Sequence, residues 1–142
     1  MKIAIINGPN LNLLGKREPE VYGNLSFEAY FELLQSKFPA IQLVYFQSNI
    51  EGELIDALQL HGFDADGIIL NPGGFTHTSV AIGDAIAAIP SIVIEVHISN
   101  IHAREDFRKL SHASAKAVGT IAGLGLFGYA LAIDWFVQHK AS

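Results

Sequence analysis

The chain has 142 residues, 50% hydrophobic and 16% charged, with a formal net charge of −5 and no cysteine. Length and composition describe one globular domain with a substantial core, not a disordered chain. The acidic balance and the lack of a Lys/Arg-rich run argue against a nucleic-acid surface, and the missing cysteine excludes disulfides, thiolate nucleophiles and Cys-ligated zinc.

Lys2 to Asn7 is a short β-branched run and reads as the first strand. Its apolar stretch is too short for a signal peptide, so the expected compartment is the cytoplasm. A long connection follows, Asn7 to Gly23, where compact domains typically use about 4–6 residues. Such a loop is a lid, a binding loop or a disordered segment, and Leu11, Leu13 and Leu14 ask for burial, against disorder. Ser26 can cap a helix with Phe27, Tyr30, Phe31, Leu34 and Phe38 on one face, stopped by Pro39. Ile41 to Gln47 reads as the second strand. Ser48 and Asn49 offer caps for a helix to about Leu60, ended by Gly62. Gly67 to Asn71 is a third, continuously apolar strand, broken by Pro72-Gly73-Gly74. A helix is predicted from about Thr78 to Ala88, before Pro90, and Ser91 to His97 is the fourth strand. A loop then leads into a helix beginning near Ala103. Ala117 to Ala122 reads as a fifth strand, and a last helix runs from about Gly125 to His139. Ala117 to Ile133 imitates a membrane span, but its short length and its glycines favour a buried strand followed by a packed helix.

Strand and helix alternate, and the middle strands lack a period of two. Strands buried on both faces belong to a parallel sheet with helices on each side. The expected architecture is α/β: a flavodoxin-like three-layer sandwich over residues 1–142, with a five-stranded parallel sheet in the order 2-1-3-4-5.

In such a sheet, ligands sit outside the carboxyl ends of the strands. Asn7 and Asn10 leave the first strand there, Ser48 and Asn49 the second, and Asn71, Gly73, Gly74 and His77 the third. The fourth ends in Glu95 and His97, followed by Ser99 and Asn100. Glu95 and His97 are two apart and share a face, and a carboxylate inside an apolar run needs a partner. The pair fits general acid/base work or a structural ion pair. Tyr22 and Arg17 in the long loop form a second pair. To act as a base near neutrality, a tyrosine needs roughly three units of depression, about 4 kcal/mol, which a guanidinium in a closed pocket can largely supply. On spacing alone, a packed Tyr22 and a solvated Arg17 serve as well. Asp84 lies about 160° from Ile82 around its helix, away from the core. It is an ordinary surface acid or a residue offered to a neighbouring subunit.

Three motifs fail. The glycines of Gly8 to Arg17 are too far apart for a phosphate-binding loop, and Pro9 removes an N–H that the cradle would use. Gly123 to Gly128 is literally G-x-G-x-x-G, but no strand and no acidic ribose ligand follow it, so close helix–strand packing explains it better. His97 and His102 lack the spacing of a metal pair, and no metal site is expected.

The residues so assembled resemble the type II 3-dehydroquinate dehydratases. The resemblance lies in NGPNLNLLGKREPEVYG, in the Ser48-Asn49-x-Glu51-Gly52 run, in NPGGFTHTSVAIGDA (71–85), in IEVHISNIHAREDFR (94–108) and in the glycine-patterned end through Gly128-Tyr129. The chain departs from the family at Gly83, where many members carry a basic residue, and at His112, where an aromatic is common. The resemblance implies cofactor-free loss of water from 3-dehydroquinate through an enolate, in the shikimate pathway. It implies Tyr22 as base, Arg17 as the group that lowers its pKa, and Asn10 holding a water against the enolate oxygen. His97, oriented by Glu95, would be the acid. Asn71 with the N–H groups of Ile98 and Ser99 would hold the substrate carboxylate, and His77, Arg108 and a neighbouring subunit's Asp84 its hydroxyls. The family assembles trimers into dodecamers. A lid is expected at about 15–23, mobile until ligand binds. Without the resemblance, a flavin- or nucleotide-holding module of the same fold and a catalytically dead scaffold stay open.

Overall fold

The computed structural model describes residues 1–16 and 24–141. Five parallel strands form one sheet: β1 (Lys2–Asn7), β2 (Gln42–Gln47), β3 (Gly67–Asn71), β4 (Ile92–His97) and β5 (Gly119–Ala122), in the order β2-β1-β3-β4-β5. The described helices are α1 (Phe27–Lys37), α2 (Glu51–Gly62), α3 (Val80–Ala88) and α4 (Phe127–Ala141). Both the architecture and the strand order are those expected.

Alternate side chains of one strand feed two cores. Ile3 and Ile5 of β1 point into one core with Phe27 and Leu34 of α1 and with Ile133 and Phe136 of α4. Ala4 and Ile6 point into the other, with Leu54 and Leu58 of α2 and Ile82 and Ile86 of α3. Every residue of β3 is buried, which is why its sequence lacks alternation.

Local signals hold at several ends. Ser26 Oγ accepts from the Ala29 N–H at 3.2 Å, capping α1. Ser79 Oγ accepts from the Ile82 N–H at 2.9 Å, so α3 begins at Val80 rather than near Thr78. At α2 the sequence misled: the cap position is Ile50, which makes no side-chain cap bond. Ser48 Oγ instead accepts from the Ile50 N–H at 3.0 Å, holding the turn before the helix. The helix expected from Ala103 is replaced by two 3-10 turns, Ile101–Ala103 and Asp106–Lys109. Arg104, Phe107 and Arg108 show no buried stripe that a helix would need, and Asn100 Oδ1 accepts from the His102 N–H at 3.1 Å at the start of the segment. β5 starts at Gly119, two residues later than expected, and α4 at Phe127. The stretch that imitated a membrane span is this strand and helix, and no described helix is long and apolar enough to cross a membrane. Gly128 explains the literal dinucleotide motif: a Cβ there would stand 3.3 Å from Ile121 and from Val96, so the residue lets α4 lie close on β4 and β5.

Candidate active site

The strand order turns back between β1 and β3, and there two backbone segments approach closely. A Cβ on Gly8 would stand 2.7 Å from the Pro72 carbonyl oxygen, and the Gly8 N–H donates to the Asn71 carbonyl at 2.7 Å. A cleft of about 190 Å³ opens above this junction, at the carboxyl ends of the strands. That is below the roughly 300–1,000 Å³ of drug-sized pockets and suits a compact molecule.

Each wall comes from one strand exit. After β1 come Pro9, Asn10, Leu11 and Leu14. Asn10 has φ 70°, and its N–H donates to Asn49 Oδ1 at 3.0 Å. Gln47 braces the same place, donating to Gly8 O at 3.1 Å and to Asn49 Oδ1 at 3.2 Å. The end of β2 therefore serves the site by holding Asn10 in a left-handed conformation that asparagine tolerates better than most residues.

After β3 come Asn71 and His77. Asn71 is buried and pinned on both atoms of its amide: Oδ1 accepts from the Gly73 N–H at 3.1 Å, and Nδ2 donates to the Tyr129 hydroxyl at 3.0 Å. That hydroxyl donates in turn to Asn7 Oδ1 at 2.8 Å. Burial pushes the Tyr129 hydroxyl far up, and it stays a neutral donor. His77 Nδ1 donates to the Leu110 carbonyl at 2.7 Å. Burial lowers the His77 pKa against that bond. Its neutral form then presents Nε2 as an acceptor.

After β4 come His97, Ile98 and Ser99, then Arg104 between the two 3-10 turns and Arg108 on the second. Glu95 is completely buried, and its Oε2 accepts from His97 Nε2 at 2.8 Å. Burial is the largest influence on Glu95 and pushes its pKa up. The bond and charge of His97, with the hydroxyls of Ser114 and Thr76, outweigh it and leave the carboxyl below its ordinary range. With Nε2 given to Glu95, His97 has Nδ1 left for other chemistry. Its ring stacks on that of His77, centroids 6.4 Å apart.

Asn10, Asn71, His77, His97, Ile98, Ser99 and Arg108 all line this one cleft, with Glu95 beneath. Asp84 does not. It is exposed on α3, opposite the buried Ile82 and Ile86. Tyr22 and Arg17 lie outside the described residues, as does most of the segment expected to be a lid. Its described flanks, Gly15 and Asn24, are neighbours: a Cβ on Gly15 would stand 2.9 Å from the Asn24 carbonyl oxygen.

Sequence reasoning missed Arg104, a second guanidinium of the cleft, whose Nη1 donates to Ser99 Oγ at 3.4 Å. It also missed Thr76, Ser111, Ser114 and Tyr129. The signal for the first three was present, because a buried carboxylate at position 95 needs donors, but nothing in the spacing says which hydroxyls fold back to it.

A family model described as Dehydroquinase class II matches residues 1–137. The chain is 52% identical over 140 residues to a 3-dehydroquinate dehydratase of Exiguobacterium sp., covering 98% of this chain and 96% of that one. It is 52% identical over 142 residues to a 3-dehydroquinate dehydratase of Roseiflexus castenholzii, covering 99% and 90%. The crystal structure of a type II dehydroquinase from Butyrivibrio crossotus superposes with a TM-score of 0.92 at 45% identity, covering 96% and 97% of the two chains.

Proposed function

The chain belongs to the class II dehydroquinase family, and from that premise we propose how its cleft dehydrates 3-dehydroquinate. The reaction is a hydro-lyase step of the shikimate pathway, toward the aromatic amino acids: 3-dehydroquinate loses water to give 3-dehydroshikimate. Family membership removes the alternative of a flavin- or nucleotide-holding module, and the turnover assay below decides against a catalytically dead scaffold.

In our reading, the Tyr22 phenolate takes the proton alpha to the ketone, and Arg17 beside it favours the phenolate form. The electron pair moves into an enolate, whose oxygen faces a water held by Asn10. As the enolate collapses, the carbon–oxygen bond to the leaving hydroxyl breaks, and His97 gives that oxygen a proton so that water departs. Glu95 keeps the imidazole oriented through Nε2. Asn71 and the N–H groups of Ile98 and Ser99 hold the substrate carboxylate. His77 accepts from a substrate hydroxyl through Nε2, and Arg108 together with Asp84 from a neighbouring subunit holds the others. The mechanism calls for no cofactor.

One observation carries the reading: a buried carboxylate–imidazole pair opens onto a small cleft that also holds Asn71, His77 and two guanidinium groups. We further propose a cytoplasmic enzyme assembled as a dodecamer built from trimers. The exposed Asp84 and Val80 on α3 and the low charge of the chain support an oligomer. Light scattering of the purified protein tests this, and a monomer active at full rate would refute it.

The direct test is to add 3-dehydroquinate and follow the ultraviolet band of the conjugated enone. The band should grow with enzyme concentration. Folded protein that produces no band overturns the reading.

A further inference from the structure

Glu95 is held by more than His97. Its Oε2 also accepts from Thr76 Oγ1 at 2.7 Å, the Ser111 hydroxyl lies 3.0 Å from both carboxylate oxygens, and the Ser114 hydroxyl donates to Oε1. A carboxylate offers about four lone-pair sites, and these four donors come from four places in the chain. The Ser114 N–H donates to Ser111 Oγ at 2.9 Å, and Ser111 Oγ lies 2.5 Å from Thr76 Oγ1, so the hydroxyls are tied to one another as well as to the carboxylate. Two of the three hydroxyls arrive on an irregular segment between the last 3-10 turn and β5. That segment is tied to the turn after β3 by the His112 N–H, which donates to the Thr76 carbonyl at 2.8 Å. It also lies hard against α3: a Cβ on Gly83 would stand 2.7 Å from the His112 carbonyl oxygen. Gly83 and His112 therefore touch.

We propose that Thr76, Ser111 and Ser114 are positioning residues whose hydroxyls fix the Glu95 carboxylate and through it His97, and that Gly83 is the close contact that lets the segment carrying both serines reach it. The inference rests on His97 being the acid of the proposed mechanism. None of the three hydroxyls lines the cleft, so each acts through Glu95. Acceptor geometry on all sides suits the ionised form, because a protonated carboxyl would have to aim its hydrogen at one of these donors. Among the described residues, the other ionisable groups facing the pair are His77, stacked on His97, and Arg108 on the turn above; from β5 the uncharged Thr120 faces Ser114, its Oγ1 3.1 Å from Ser114 Oγ.

The test compares wild type, Thr76→Val, Thr76→Ser, Ser111→Ala and His97→Asn, with folding checked by circular dichroism and denaturant unfolding. Thr76→Val and Ser111→Ala should lower kcat about tenfold, part of the roughly 10²–10⁴ that a positioned acid supplies, with KM nearly unchanged. The acid limb of the kcat profile should move up by about one pH unit, because a carboxylate stripped of a donor takes its proton more readily. Thr76→Ser should restore both. A ¹³C titration of the Glu95 carboxyl, which does not depend on turnover, should show the same displacement. Folded variants with an unmoved acid limb and an unmoved ¹³C midpoint overturn the inference while leaving the enzyme reading intact. A folded wild type without turnover, or a His97→Asn variant at full rate, sinks both.

Discussion

Tyr129→Phe removes one oxygen from the middle of the molecule. The ring is completely buried against Phe27, with centroids 5.0 Å apart, and Phe keeps that packing. What is lost is the hydroxyl that accepts from Asn71 Nδ2 and donates to Asn7 Oδ1. Both asparagines are buried, and Asn7 Nδ2 already lacks a partner. Each buried polar group left unpaired costs about 1–3 kcal/mol. The Tyr45 hydroxyl lies near Asn7, outside hydrogen-bonding geometry, and burial pushes its pKa up to about 12. A turned Asn7 amide can take a bond from it and recover part of the loss. The net cost should be about 2 kcal/mol, which at this chain length lowers the melting temperature by roughly 4–8 °C. Urea unfolding at fixed protein concentration measures it, with an unchanged m-value showing that the same surface is exposed. Tyr45→Phe is the control. It removes a buried hydroxyl with no partner and should be neutral or slightly stabilising. The substrate readout should follow Asn71, with KM rising several-fold for Tyr129→Phe and kcat changing less. A Tyr129→Phe variant within about 0.5 kcal/mol of wild type, with its KM unmoved, would refute the role given to this hydroxyl.

Acid should weaken the fold in two stages. His77 and Glu95 both have folded pKa values below their ordinary 6.5 and 4.5, so each contributes stability above its unfolded value that is lost as the pH falls through the folded one. Urea midpoints should therefore begin to fall below about pH 6.5 and fall more steeply below about pH 4.5, and Glu95→Gln should flatten the second stage; a midpoint flat from pH 7 to 4 would contradict this. Gly83→Ala places a methyl 2.7 Å from the His112 carbonyl oxygen, so segment 111–114 must shift. It should cost about 1–3 kcal/mol and lower kcat together with stability, whereas an alanine variant of wild-type stability and rate would show that the contact yields freely. Tyr22→Phe should keep substrate binding, measured by calorimetry, and lose most turnover; a near-normal rate would rule out Tyr22 as the base.

The order of elements was legible because burial leaves periodic marks. β3 is apolar throughout because both of its faces are covered, and α1 shows its stripe because one face meets the core. The polar residues at the strand ends were legible for the same reason: an open parallel sheet brings its carboxyl ends together whatever the loops do, so Asn71, His77 and His97 could be gathered from spacing alone. The helix expected from Ala103 is two 3-10 turns instead, and the side-chain bonds there, His102 N–H to Asn100 Oδ1 and Arg104 to Ser99 Oγ, are not written in any periodic pattern. The sequence by itself also named Glu95 as a carboxylate in need of partners. Which groups meet that need was decided in three dimensions, since Thr76, Ser111 and Ser114 reach it across sequence separations of 19, 16 and 19 residues. Sequence determines the periodic and the strand-end features, which local burial writes into the chain. Tertiary structure decides the Asn7–Tyr129–Asn71 chain and the hydroxyl cage, because a hydrogen bond between distant segments needs direction and distance that no local pattern encodes.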